Sequence, residues 1–190
     1  MNRTFVLIAA TALGLVTFAV PEDAHALGPV DLEVGAKVGG ATNPSSASGA
    51  PNPLGFGLGA RAGLSFLGGL YAGGSLMYYF GSSASEPTPA APSVSVSANT
   101  LMYGGELGYG ITLLDLLTIR PQVGLGNATF NGSAGGVSQS ASYFYLEPGV
   151  TALIGLGLLY VGADANALFF PSLQGSQAAL SLHAQIGLKF

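Results

Sequence analysis

Along most of this chain apolar and polar positions alternate one by one. In the last segment Ala178, Leu180, Leu182, Ala184, Ile186, Leu188 and Phe190 share one face, and Ala179, Ser181, His183, Gln185, Gly187 and Lys189 share the other. Residues 54–66 repeat the pattern, with Leu54, Phe56, Leu58, Ala60, Ala62, Leu64 and Phe66 set against Gly55, Gly57, Gly59, Arg61, Gly63 and Ser65. A third stretch sets Val30, Leu32, Val34, Ala36 and Val38 against Asp31, Glu33, Gly35, Lys37 and Gly39. A period of two is the signature of a strand with two unlike faces. Five further segments follow it less regularly, near 70–80, 100–112, 117–130, 142–154 and 158–170. The pattern predicts eight strands.

The connections alternate in length. Three are tight, at 67–69, 113–115 and 155–157, and four are long and rich in Gly, Ser, Pro and Asn, at 43–53, 81–95, 131–141 and 171–176. Short turns on one side and long loops on the other are what an up-and-down transmembrane barrel presents. Pro148–Ala163 is the longest apolar run beyond residue 26, but it carries four internal glycines and is shorter than the ~20 residues of a spanning helix. We read it as two strands and a turn.

Residues 1–26 stand apart. Met1-Asn2-Arg3 is a short positive start, the stretch from Phe5 to Val20 is apolar, Pro21 ends it, and Ala24-His25-Ala26 is a small-x-small cleavage pattern. This reads as a secretory signal peptide, leaving residues 27–190 as one eight-stranded barrel domain.

Composition sharpens the picture. Only 7% of the 190 residues are charged, 30 are Gly and none is Cys or Trp, and the mean hydropathy is +0.52. Disordered chains are poor in apolar residues and rich in charge, so disorder is excluded. Five Lys and Arg with a pI near 4.8 cannot neutralise a phosphate backbone, so no nucleic-acid partner is expected. The absence of Cys removes disulfides, thiolate metal sites and cysteine nucleophiles.

Eleven charges fall after residue 26: Asp31, Glu33, Lys37, Arg61, Glu86, Glu106, Asp115, Arg120, Glu147, Asp164 and Lys189. Glu86 falls in a long loop and Asp115 in a tight turn, and the other nine take the polar parity of their strands. A charge facing lipid at mid-bilayer costs about 2–4 kcal/mol, whereas a lumen accepts it. The glycine-rich, charge-bearing face therefore points inward, the reverse of a soluble ligand-binding barrel. Its period-two glycines leave room for bulkier lumenal side chains. Tyr78, Phe80, Tyr103, Phe130, Phe144 and Phe169 fall near the loop ends, and Phe66, Tyr109 and Phe190 near the turn ends, as two interfacial belts would.

A leader, eight amphipathic strands and a last strand ending in Ala184-Gln185-Ile186-Gly187-Leu188-Lys189-Phe190 resemble the small outer-membrane β-barrels of Gram-negative bacteria, the OmpA/OmpX type. The resemblance implies an all-β antiparallel transmembrane barrel in the outer membrane, with both mature termini periplasmic and outer-membrane lipid around it. It implies passage through the secretory translocon and delivery to the barrel assembly machinery, with terminal Phe190 as the assembly signal.

The residues point to little chemistry. Asp31-x-Glu33 reads as a solvated rim, since an oxygen-ligand cation site wants six or more donors. Ser181-x-His183 invites comparison with lipid A-modifying barrels, but side chains two apart on a strand lie nearly 7 Å from each other, too far for a nucleophile and its base. No catalytic, cofactor-binding or metal site is expected. Counting from the tight turns puts Arg61, Glu106, Arg120, Glu147, Asp164 and His183 at similar heights, which predicts a lumenal polar cluster centred on the two arginines, with Glu106, Glu147 and Asp164 as their partners. The expected protein is a monomeric, non-enzymatic barrel with a plugged lumen, acting through its outward loops. A narrow pore is the alternative, because the lumenal glycines reduce the filling.

Overall fold

The computed structural model describes residues 30–45, 51–86, 94–114 and 116–190. Ten strands run in chain order: β1 Asp31–Ala41, β2 Phe56–Phe66, β3 Leu70–Tyr79, β4 Ser83–Glu86, β5 Val94–Tyr109, β6 Ile111–Leu113, β7 Leu117–Ala134, β8 Val137–Leu156, β9 Leu159–Leu168 and β10 Ala179–Lys189. All pairings are antiparallel. The short β4 and β6 continue β3 and β5, so the staves number eight. They close in the order β5-β3-β2-β1-β10-β9-β8-β7, with β7 returning to β5. The first and last staves join from Glu33↔Lys189 to Ala41↔Ser181. The leader, residues 1–26, lies outside the described residues, as does Asp115. Among the described residues no helix is long and apolar enough to cross a membrane, which says nothing of strands.

The alternation takes the predicted sense. Along β10, Leu180, Leu182, Ile186 and Leu188 are exposed, whereas Ser181, His183 and Gln185 are buried. Along β2, Phe56, Leu58 and Leu64 face out while Arg61 and Ser65 face in. An apolar face turned out and a polar face turned in makes this barrel inside-out relative to a soluble one. The lumenal glycines sit under aromatic rings: Tyr71 covers Gly63 and Gly73, and Tyr160 covers Gly35 and Gly187.

Five details depart from the sequence reading. The stretch 131–141 is not a loop. The β7–β8 ladder runs without interruption to Ala134↔Val137, turning on Gly135 and Gly136 with φ of +56° and +84°. Two successive left-handed residues are what the tightest twist-matched hairpin requires, and only glycine adopts them freely. Part of 81–95 is likewise strand, with Ser83–Glu86 paired onto Val94–Ser97, so Glu86 ends β4 rather than lying in a loop. The turn placed at 155–157 is Gly157-Leu158, since Leu156 pairs with Leu159.

Leu54, assigned to the outer face, is instead fully buried inside. Gly55, at φ +38°, breaks the alternation just before β2 and swings the preceding residue into the mouth. Phe130 also turns inward. It packs on Tyr143 and Phe170 with ring centroids 5.7 and 5.3 Å away, respectively, because it shares the parity of buried Arg120 and Ala128. Tyr78, Phe80, Tyr103, Phe144 and Phe169 do face outward near the loop end, and Tyr109 and Phe190 near the turn end.

The exposure pattern sets a depth-dependent expectation. Ile186→Arg, on the outer face at mid-stave, should cost about 2–4 kcal/mol in reversible folding into liposomes, and Leu180→Arg, near the loop rim, about 0–1 kcal/mol. Equal costs at the two positions would contradict this placement of the outer face.

Candidate functional site: the lumenal ion network

The closed ladder aims one residue in two from each stave at a common axis, which concentrates the inward charges. Arg61, Glu106, Arg120, Glu147, Asp164 and His183 are all buried there, joined by Glu33 and Lys37.

Nearest the turn end, Arg120 makes a bidentate pair with Glu33, Nη1 donating to Oε2 at 2.8 Å and Nη2 to Oε1 at 2.6 Å. Two parallel charge-assisted bonds in a fixed fork are the strongest form such a pair takes. Ser65 Oγ donates to the same Oε1 at 2.8 Å. This corrects two expectations. Glu33 is no solvated rim residue, and Arg120 pairs with it rather than with Glu106, Glu147 or Asp164. Only Asp31 of the Asp31-x-Glu33 pair lies at the rim, where it meets Lys189 at 2.9 Å with both side chains about two-fifths exposed.

Arg61 lies beside Arg120 because an aromatic ring separates them. The guanidinium carbons sit 4.7 Å (Arg61) and 4.1 Å (Arg120) from the Tyr71 centroid. The electron-rich ring face attracts both cations and keeps them from meeting directly. Arg61 Nη1 donates to Gln185 Oε1 at 2.9 Å, and its Nη2 lies 3.4 Å from Glu106 Oε2.

Lys37, which the sequence reading left out of the cluster, links the halves of the network. Its Nζ is 3.2 Å from Asp164 Oδ2 and 3.9 Å from Glu106 Oε1. Asp164 Oδ1 also contacts His183 Nδ1 at 2.8 Å and accepts from Asn166 Nδ2 at 2.7 Å. Glu147 is the member without an ion pair among the described residues. It is held by neutral donors, Asn166 Nδ2 at 3.0 Å and Ser181 Oγ at 3.4 Å. Lys37, Gln185 and Asn166 share the inward parity of the chosen six; counting heights from the turns alone passed them over.

The Ser181–His183 pair is not assembled for nucleophilic attack. Both ring nitrogens of His183 are engaged elsewhere, Nδ1 with Asp164 and Nε2 with Tyr79 Oη at 2.8 Å, while Ser181 Oγ donates to Glu147. Among the described residues no group of three or more His, Cys, Asp or Glu is arranged to hold a metal ion.

Toward the loops the lumen changes character. Leu54, Met77, Tyr79, Met102, Ala128, Tyr145, Leu168 and Phe170 form an apolar cluster, with Phe130, Tyr143 and Leu173 packed against it. The tucked segment that carries Leu54 is tied down at several points. Asn52 Nδ2 donates to the Ala41 carbonyl and Thr100 Oγ1 to the Pro53 carbonyl, both at 2.9 Å. Tyr79 belongs to both layers, its ring in the apolar cluster and its hydroxyl on His183.

No family model matches this chain, and no curated sequence matches it. Solved structures do. A major outer membrane protein from Thermus thermophilus superposes with a TM-score of 0.63 at 14% identity, covering 85% of this chain and all of that one. The N-terminal β-barrel domain of Pseudomonas aeruginosa OprF gives 0.55 at 11% identity, over 83% of this chain and 97% of the other. Neisserial surface protein A gives 0.54 at 13% identity, over 85% and 97%. The fold is that of the small outer-membrane β-barrels. At such identities the likeness speaks for architecture alone, and the ion network described above rests on this chain's own residues.

Removing one partner of a buried ion pair leaves the other charge uncompensated, which typically costs 3–5 kcal/mol. Arg120→Ala should destabilise the barrel by about that much in denaturant unfolding, because Glu33 loses both of its strong bonds. Lys189→Ala, at the exposed rim pair, should change stability by about 0–1 kcal/mol.

Proposed function

We propose that this chain is a bacterial outer-membrane barrel, both termini of its mature form on the periplasmic side, whose lumen is plugged and whose work is done by its outward end. The observation that carries this reading is the pair of stacked lumenal layers. An ion network from Glu33 to His183 fills the turn side and middle, and the apolar cluster around Leu54 and Phe170 covers it toward the loops. An eight-stranded barrel has an interior that side chains about fill, and an apolar cover denies hydrated ions a path. The engagement of His183 with Asp164 and Tyr79, and of Ser181 with Glu147, supports a non-enzymatic reading. On that reading the role falls to the outward surface, structural or interactive. Within its own bilayer the barrel acts as a monomer, surrounded by outer-membrane lipid and requiring no cofactor.

Planar-bilayer recording of refolded protein tests the plug. The expected result is an unchanged baseline current, and discrete conducting steps would select the narrow-pore reading instead.

The exposed terminal Phe190 fits a role as the signal read by the barrel assembly machinery after export through the translocon. Its backbone also closes the seam, exchanging bonds with Leu32 at 2.9 Å in both directions. Deleting Phe190 should lower the amount reaching the outer membrane in cells while leaving folding in detergent intact, and unchanged membrane levels would leave Phe190 with seam closure alone.

A further inference from the structure

The hairpin of β7 and β8 outruns its neighbour on one side. β7 is paired with β5 as far as Val96↔Ala134, whereas β9 ends at Leu168 and its last contact with β8 is the Leu146–Phe169 bridge. Among the described residues no strand pairs with Val137–Tyr145 on that side, which leaves a sheet edge roughly 30 Å long at ~3.3 Å per residue. Leu146 exchanges both backbone bonds with Phe169, at 3.0 and 2.9 Å, so even-numbered residues of β8 aim their peptide groups toward β9. By the alternation of an antiparallel ladder, Ser138, Ser140, Ser142 and Phe144 aim theirs at the same, vacant side.

Exposed edges in natural sheets are usually blunted by charge, proline or a bulge. This one, Val-Ser-Gln-Ser-Ala-Ser-Tyr-Phe-Tyr, carries neither charge nor proline, and its ladder to β7 contains no bulge. We propose that the β8 edge pairs with the β8 edge of a second copy of this chain, antiparallel, about a two-fold axis at Ala141.

The register explains the choice of occupant. Centred on Ala141, Ser140 lies opposite Ser142 of the second copy, and Ser138 opposite its Phe144. Every outward-aimed peptide group then finds a partner, and Ala141 meets its own mate at a non-hydrogen-bonded position. No charge opposes a like charge. The Ser140–Ser142 pairs extend a motif already present on this face of the sheet, where Ser97 and Ser133 hydroxyls lie 2.7 Å apart and those of Thr129 and Ser142 2.9 Å.

The geometry also sets where the second copy sits. Copies in one bilayer all point β8 the same way, so an antiparallel mate comes from an apposed membrane. That orientation rests on the membrane placement proposed above, whereas the pairing itself does not. One strand pair is small beside the ~1,200–2,000 Å² of a stable interface, so each contact is weak and gains strength from many copies on facing surfaces.

The chain has no cysteine, which makes the register directly testable. In refolded protein under mild oxidation, Ala141→Cys should trap a disulfide dimer, because non-hydrogen-bonded pairs bring Cβ atoms to about 4.5–5.5 Å. Gln139→Cys, which faces Tyr143 of the second copy, should stay monomeric. Ser140→Pro removes an N–H aimed away from β7, so the barrel should fold normally while the Ala141→Cys dimer falls at least tenfold. Equal trapping at 139 and 141, or an Ala141→Cys dimer unaffected by Ser140→Pro, would overturn the pairing, as would no dimer at all. Proteoliposomes of the wild-type chain should cluster and those of Ser140→Pro should not. A dimer in detergent without clustering would overturn the apposed-membrane arrangement alone.

Discussion

A backbone N–H or C=O left unpaired away from water costs several kcal/mol, and an apolar outer face leaves a sheet few places to find partners. Closing the sheet on itself is the solution this chain adopts. The join of β1 to β10, finished by the reciprocal bonds of Leu32 and Phe190, removes the edges over the height of the barrel. With the ring closed, side-chain parity acquires a meaning, because each stave then has one face on the lumen and one outside. Everything else about the interior follows from what the inward parity carries.

It carries charge in a confined space, and the structure handles each charge differently. Arg120 and Glu33 satisfy one another in a fork, Arg61 is shared between Glu106 and Gln185, and Lys37 spans two carboxylates. Tyr71 lets two guanidiniums sit close without facing one another. That ring fits only because Gly63 and Gly73 lie beneath it. The glycine content that first marks the sequence as unusual is thus the space in which the network is built, and a side chain at either glycine would move the ring and both arginines with it.

Above the network the outward end divides into two parts with different physics. Over the lumen, Leu54, Phe130 and Phe170 fold in and pack as an apolar cover. Beside it, β7 and β8 continue as a bare hairpin of serine, glycine and small residues, with one edge paired to β5 and the other unpaired. The closed part of the barrel has no edge to offer, so this edge arises where one hairpin is longer than its neighbour.

Strand parity was legible in the sequence because it depends on nothing but adjacent residues. The alternation in β1, β2 and β10 placed Glu33, Lys37, Arg61, His183 and Lys189 on the polar face before any contact was visible, and the loop lengths gave the antiparallel order. Which charge meets which was not legible. The pairing of Arg120 with Glu33 joins residues 87 apart in sequence, and the stagger between staves, which no local pattern encodes, decides their heights. Leu54 and Phe130 escaped for a related reason. The backbone bend at Gly55 overrides the apparent alternation at Leu54, and Phe130 reads as a belt aromatic until the parity of the whole of β7 turns it inward. The hairpin at 131–141 carried its own signal in Gly135-Gly136, but a run of small polar residues reads as loop until a paired neighbour shows it to be strand. Local periodicity determined the faces of this barrel; the closure and stagger of its staves decided what meets inside it.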